Sequence, residues 1–462
     1  MGSSPTARTS LRPPGYAWRN QDKAKGRRLK GVMMNRVDDA LAEAVARYVS
    51  KRPKTAAMHE RAKAVMPGGN TRTVLFSQPF PIRIEKAEGS RLSDIDGHSY
   101  IDYVGEYSAG IYGHSHPKLV AAVQDALTMG LNIGAQHVRE VAFAEAVADR
   151  FALERLRFTN SGTEANMMAL AAARAFTARP AIMPMFGGYH GGTLYFTSGP
   201  SAVNAPFECV MGHYNKVEET RALIAAHSER LAAVILEPML GGGGCIPATA
   251  EFLSMLRSEC TARGIVLIFD EVMTSRLHPG GLAAKTGIRP DLVTLGKYIG
   301  GGMSFGCFGG RADIMALFDP TSARPLPHAG TFNNNTLTMT AGRVGLTEVY
   351  TREACVAHNS RGEALKARLN DMFMRYQAPM QVTGVGSLLT LHPLGGAISS
   401  AEDAAKADIR LKRLAYFHLL DHGIYVAERG FMALALTLSD ADFDALETAL
   451  AGFIERYRGL LN

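Results

Sequence analysis

From residue 37 onward the chain moves through three rhythms of apolar and polar positions. In VDDALAEAVARYVSKR apolar residues recur every three or four places, predicting helix over about 37–64. After MPGGN, the segments TRTVLF, IRIEKAEGSRLSDIDG and SYIDYVG are short and alternating. They predict a small antiparallel sheet with hairpin turns at Glu88-Gly89 and Asp96-Gly97. From about 115 to 310 helical and apolar stretches take turns. PKLVAAVQDALTMG and VREVAFAEAVADRF read as helices leading to the strand LERLRFTN. The later strands are AIMPMF, LAAVILEP, GIVLIFDEV and DLVTLG. Apolar strands separated by helices predict a mostly parallel sheet covered on both faces, an α/β fold. The final hundred residues mix amphipathic helices with the strand FMALALTL, an α+β pattern suited to a second, smaller domain.

Composition narrows this picture little. With 47% hydrophobic and 20% charged residues in 462, the balance is that of a globular protein with a large core. No run has the 18 or so apolar residues of a membrane span, so no membrane partner is expected. Five scattered cysteines without C-x-x-C spacing argue for a reducing compartment and against disulfides or zinc.

The net charge of +7 changes the picture only once it is located. Residues 1–33 hold eight Lys or Arg against Asp22, which leaves 42 residues of each sign elsewhere. The body is neutral, so no nucleic-acid partner is expected. The Pro-, Ser- and Arg-rich start, which contains the sole tryptophan, Trp18, is expected to be disordered. A targeting peptide and an early start codon upstream of Met33 and Met34 both remain open readings of it.

Ligands of open α/β sheets bind beyond the carboxyl ends of the strands. Here those ends carry Ser161-Gly162-Thr163, then Gly187-Gly188-Tyr189-His190, then Glu237, then Asp270-Glu271, then Lys297. A parallel sheet would gather all five groups along one rim. Ser161-Gly162-Thr163 opens an alanine-rich helix, whose unpaired N–H groups suit a phosphate, although Ser and Thr also cap helices for no other purpose. Asp270 ends a run that should be buried, so it needs a cap, an ion pair or a buried cation such as a protonated pyridine nitrogen.

Lys297, in TLGKYIGGG, lies in the wrong order for a nucleotide P-loop, because its glycines follow it. In an apolar pocket its amine becomes a nucleophile able to form a Schiff base, and the glycines would leave room for a flat ring. Tyr189 could stack on such a ring or simply fill a tight turn. Phosphate cradle, aspartate, lysine and aromatic ring together match what pyridoxal 5′-phosphate requires.

TNSGTEAN, GGYHGG, EPM, FDEV, TLGKYIGGG and GTFNNN follow one another as in the class III pyridoxal-phosphate aminotransferases, which the chain resembles from about residue 55 onward. Within that family, MPGGNTRTVLF and FTNSGTEAN resemble the branch of glutamate-1-semialdehyde aminomutases and β-phenylalanine-type aminotransferases. The resemblance implies fold type I. Residues 1–36 would be the basic extension and 37–104 a segment joining the small domain. The large cofactor-binding domain would span 105–345 and the small domain 346–462. It further implies that Ser161, Gly162 and Thr163 hold the phosphate, with Tyr189 and Val272 on the two ring faces. Asp270 would meet the ring nitrogen. Glu237 would lie near the 3′-oxygen and order His190 or Asp270. Lys297 would bond to the cofactor and shuttle the proton. Thr331 would reach the phosphate of a neighbouring subunit, which implies a homodimer with active sites at its interface.

Arg72 and Arg429 match arginines that bind substrate and acceptor carboxylates in the β-amino-acid branch. The expected function is therefore a cytoplasmic transaminase moving an amino group from a β-amino acid, aromatic in the favoured case, to 2-oxoglutarate or pyruvate. An intramolecular aminomutase is the close alternative. Its members usually read GT-(L/F)-S-G-N-P where this chain has GTFNNNTL. A non-catalytic cofactor-binding protein is disfavoured by the complete Lys297–Asp270 pair, and a racemase is the remaining variant.

Overall fold

The computed structural model describes residues 24–131 and 133–461, with residues 24–35 described by their backbone alone. Trp18 and the start of the basic extension lie outside the described residues. The first helix, Ala24–Ser50, begins inside the stretch expected to be without structure. Its Ala, Lys, Arg, Leu and Met content is strongly helix-forming, a signal the charge count had masked. Val37, Leu41, Ala44 and Tyr48, spaced by four, three and four, give it a buried stripe in the core of the C-terminal part. The single helix expected over 37–64 is two, because Pro53 starts a new helix, Pro53–Lys63, and the residue before a proline disfavours helical backbone.

The hairpin strands are present as β1 (Ile84–Glu88), β2 (Arg91–Asp94) and β3 (Ser99–Asp102), all antiparallel neighbours. TRTVLF is not a strand. It is a single 3-10 turn, Thr73–Leu75, with Arg72 extended before it. Next come β4 (Arg155–Thr159), β5 (Ala181–Met183), β6 (Glu208–Cys209) and β7 (Leu231–Leu236). A two-stranded ribbon, β8 (Met239–Leu240) and β9 (Ile246–Pro247), precedes β10 (Val266–Asp270), β11 (Leu292–Gly296) and β12 (Gly306–Gly310). The C-terminal part adds β13 (Gln381–Val385), β14 (Leu388–His392), β15 (Ile424–Tyr425) and β16 (Phe431–Ala433).

The large sheet has the order β4-β12-β11-β10-β7-β5-β6. Its strands are parallel except β12, which runs antiparallel to both neighbours. The apolar runs are continuous because both faces are covered. Ile268 faces the alanines of the helix Gly162–Thr177, while Leu267 and Phe269 face Phe252, Leu253 and Leu256 of the helix Ala250–Arg263.

No strand was expected at β12, since GCFGG has little β propensity. Its glycines are there for contact. A Cβ at Gly306 would lie 2.1 Å from the Ser161 carbonyl oxygen, and one at Gly310 2.2 Å from that of Asp291. The strand can enter the sheet only without side chains at these points.

The C-terminal β13-β14-β16 sheet is antiparallel, and β15 pairs with β3. Residues of the first helix and of β2 and β3 share one apolar core with the helices Arg352–Arg375, Ile409–Asp421 and Asp440–Tyr457. The chain's beginning and end thus pack as one body beside the large sheet. Among the described residues no helix is long and apolar enough to cross a membrane, and all five cysteines are unpaired.

Candidate active site

The carboxyl ends of β4, β5, β7, β10 and β11 converge on a cavity of about 290 Å³. Ser161, Gly162, Thr163, Tyr189, His190, Glu237, Asp270, Val272 and Lys297 all line it.

The helix Gly162–Thr177 starts at one wall with Ser161 as its cap. The Ser161 hydroxyl accepts from the Glu164 N–H at 3.2 Å, and the Thr163 hydroxyl accepts from the Gly192 N–H at 3.2 Å. Each hydroxyl therefore keeps its own hydrogen to donate. Together with the unpaired amides and positive dipole of the helix start, they form a receptor for an anion such as phosphate. Gly191 is required beside it, because its φ is +124° and a Cβ there would lie 2.2 Å from Thr163 Oγ1.

Opposite lies Asp270. Its Oδ2 accepts from His190 Nδ1 at 2.8 Å and from Asn166 Nδ2 at 2.8 Å, and its Oδ1 from the Val272 N–H at 3.0 Å. Asn166 also donates to the His190 carbonyl at 3.0 Å and accepts from Thr294 Oγ1 at 2.6 Å. Thus a nearly inaccessible carboxylate is aimed by three donors, an arrangement able to meet a cationic ring nitrogen. Asn166 was missed as a site residue. Its signal was a polar residue on a face otherwise built from Ala165, Ala169 and Ala173.

Val272 packs against Gly162, where a Cβ would come within 2.8 Å of it, and forms one apolar wall. The Tyr189 ring is partly exposed and meets Tyr195 edge-on at 5.7 Å. Glu237 accepts from the Tyr189 and Gly241 amides, both at 3.0 Å. It therefore fixes the backbone that carries the aromatic ring and leads into His190. Burial pushes its carboxyl up to about 7.

Lys297 follows β11 in a left-handed backbone conformation, φ +55°, which is costly for a residue with a side chain and is held by the packed turn after it. Its Nζ donates to the Tyr107 carbonyl. Burial pushes the amine down to about 8, and the Arg429 charge adds to the effect against Asp270 and Glu237. The glycines behind it do less for clearance than expected. A Cβ at Gly300 would strike Phe305 at 2.4 Å, and one at Gly301 the Ala341 carbonyl carbon at 2.3 Å. Only Gly302 of the three lines the cavity.

The two arginines stand outside that cavity wall and meet it through one turn, Gly105–Ser108. Arg72 pairs with Glu106. The Arg429 guanidinium lies 5.0 Å from the centre of the Tyr107 ring and 5.4 Å from that of Phe431, and it has no ion-pair partner among the described residues. Thr331 is exposed and does not reach this chain's cavity. Its neighbour Asn333 touches the rim through Asn160, at 3.0 Å.

An anion cradle, an oriented carboxylate, an amine with depressed basicity and an aromatic ring line one cavity, and these residues fit pyridoxal phosphate. The pattern of the family Aminotransferase class-III matches residues 76–453. A β-phenylalanine transaminase of Variovorax paradoxus is 50% identical over 92% of this chain and 98% of its own. A glutamate-1-semialdehyde 2,1-aminomutase of Sorangium cellulosum is 37% identical over 86% of this chain and 95% of its own. The solved β-phenylalanine aminotransferase of Variovorax paradoxus superposes with a TM-score of 0.91, at 50% identity, covering 92% of this chain and 99% of that one. The chain belongs to the class III aminotransferases. It is a transaminase of fold type I whose cofactor is pyridoxal 5′-phosphate.

Proposed function

We propose that the enzyme transfers an amino group from a β-amino acid, aromatic and β-phenylalanine-like, to a 2-oxo acid such as 2-oxoglutarate or pyruvate. The observation that carries this reading is Arg429. Its guanidinium, set against the stacked Tyr107 and Phe431 rings and without a carboxylate partner among the described residues, is a receptor for the carboxylate of an incoming acid. The 50% identity to a β-phenylalanine transaminase supports the same substrate class.

Bound pyridoxal phosphate supplies the electron sink that lets an amine nitrogen change carbon partners. Ser161, Gly162 and Thr163 would hold its phosphate, Asp270 its ring nitrogen, and Tyr189 and Val272 its two faces. His190 and Asn166 keep Asp270 in place. Lys297, uncharged in useful amount near neutral pH, accepts a proton at Nζ from the substrate carbon and returns it. Arg72 and Arg429 fix the substrate carboxylates so that the reacting carbon faces Lys297 Nζ.

The active unit in this reading is a homodimer in the cytoplasm, with Thr331 serving the partner's phosphate site. Val138, Val141 and Phe332 are exposed apolar residues close to Thr331. His137 bonds the Asn334 carbonyl at 2.7 Å, which holds the two segments side by side. Sedimentation at twice the chain mass and loss of cofactor affinity in Thr331→Ala are the expected results.

The substrate test is alternating addition of β-phenylalanine, terminal amino donors and glutamate 1-semialdehyde to the holoenzyme, followed at the cofactor's absorbance. Net consumption of a 2-oxo acid with β-phenylalanine is expected. Turnover of the semialdehyde alone, with no 2-oxo acid needed, would establish the aminomutase reading instead.

A further inference from the structure

Four residues in a row, Gly105, Glu106, Tyr107 and Ser108, have positive φ angles of 49°, 49°, 50° and 78°. Three of them carry side chains, and each pays a conformational cost on the order of 1 kcal/mol. The neighbours hold the turn in place. Asp102 Oδ1 accepts from the Val104 and Gly105 amides at 2.8 and 3.1 Å. The Tyr107 hydroxyl donates to the Val74 carbonyl at 2.7 Å, and its ring stacks on Phe431 at 5.5 Å. A Cβ at Gly105 would lie 2.4 Å from the Ala433 carbonyl oxygen.

Such strain concentrates at ligand clamps. This turn touches three cations of the site at once. The Tyr107 carbonyl accepts from Lys297, the Tyr107 ring lies under Arg429, and the Glu106 carboxylate sits on Arg72.

We infer that Glu106 is a resident carboxylate that occupies Arg72 between substrates and must be displaced by the carboxylate of the incoming acid, so that it sets the affinity of the site. The inference rests on the reading of Arg72 as a substrate-carboxylate receptor.

The chemistry is that of exchange between like groups. Arg72 offers a guanidinium fork, and Glu106 meets it at Nη1 with the same functional group a substrate would bring. Both side chains are half open to solvent, 43% for Arg72 and 54% for Glu106. An ion pair so exposed is weak, and it can open without leaving a charge stranded in a dry interior. Arg429 has no such occupant among the described residues, so the two guanidinium groups are unequal: one is open and one is guarded.

The test measures KM for the amino donor and the inhibition constant of 3-phenylpropanoate, an acid with no amino group, in the holoenzyme. Glu106→Gln removes the competing charge and keeps the length. Glu106→Asn is the second variant, since asparagine tolerates left-handed backbone and is one carbon shorter. Both variants are expected to lower KM and the inhibition constant about two- to fivefold, with kcat moving less than KM. Arg72→Ala is expected to raise both constants. If Arg72→Ala raises them and the Glu106 variants leave them unchanged or raise them, Glu106 merely positions Arg72 and the inference is overturned. If Arg72→Ala changes neither constant, the receptor reading fails and the inference fails with it.

Discussion

Asn166 Nδ2 lies 2.8 Å from Asp270 Oδ2, joining the helix that begins at the anion cradle to the carboxylate at the far wall of the cavity. The oxygen of the same side-chain amide, Asn166 Oδ1, accepts a bond from Thr294 on β11. Cradle, aspartate and the lysine-bearing strand are thereby fixed to one another by a single buried side chain.

Asn166→Ala would remove one charge-assisted hydrogen bond from Asp270 and leave Thr294 Oγ1 buried without an acceptor. A lost bond to a charged group costs about 1.5–3 kcal/mol, so cofactor affinity should fall by tenfold or more. Titration of the cofactor-free protein with pyridoxal phosphate measures this. Unchanged affinity would show that His190 and the Val272 amide suffice to hold Asp270.

Lys297→Ala should abolish transamination, with a loss of at least ~10³-fold in kcat, because nucleophile and proton carrier vanish together. Circular dichroism should show the fold intact. Turnover near that of the parent enzyme would refute the assignment.

The depressed basicity of Lys297 has a definite pH signature. Below about 8 the amine is protonated and cannot attack, so the rate of reconstitution with cofactor should rise with pH and level off above about 8. An ordinary lysine would level off above 10. The sign for stability follows from the same shift. Between about 8 and the usual lysine value the unfolded chain binds more protons, so the cofactor-free protein should gain stability as pH rises through that window. A reconstitution rate still climbing at pH 9.5 would contradict the buried-amine reading.

Arg429→Ala should raise KM for a carboxylate-bearing acceptor about 10- to 100-fold, the equivalent of one charge-assisted pair. Arg429→Lys should not restore it, since an ammonium provides neither the fork nor the flat face that lies against the stacked Tyr107 and Phe431 rings. Steady-state kinetics with 2-oxoglutarate and pyruvate decide the matter.

Gly191→Ala tests the cradle. Any methyl there meets Thr163 Oγ1, and the backbone is in a region that side chains avoid. Cofactor affinity should fall while thermal stability without cofactor changes less. A variant that binds cofactor normally would place the phosphate elsewhere.

Much of this was legible in the chain itself. The apolar runs of β7, β10 and β11 announced buried strands, and the polar residues just past them announced a rim, because alternation and burial are local properties of a sequence. The motif order supplied Lys297, Asp270 and the Ser161–Thr163 turn as candidates. Tertiary structure decided what those residues touch. Asn166 and Asp270 are 104 positions apart, and Glu106 is 34 from Arg72, so their meeting depends on sheet order and domain packing rather than on any local pattern. The same holds for β12, whose glycines read as a loop until the Ser161 and Asp291 carbonyls close around them. Local periodicity sets which residues are buried and which line an edge. Only long-range packing sets which donor faces which acceptor, and in this enzyme that pairing brings Lys297 and Asp270 to one cavity and the two arginines against the turn beside it.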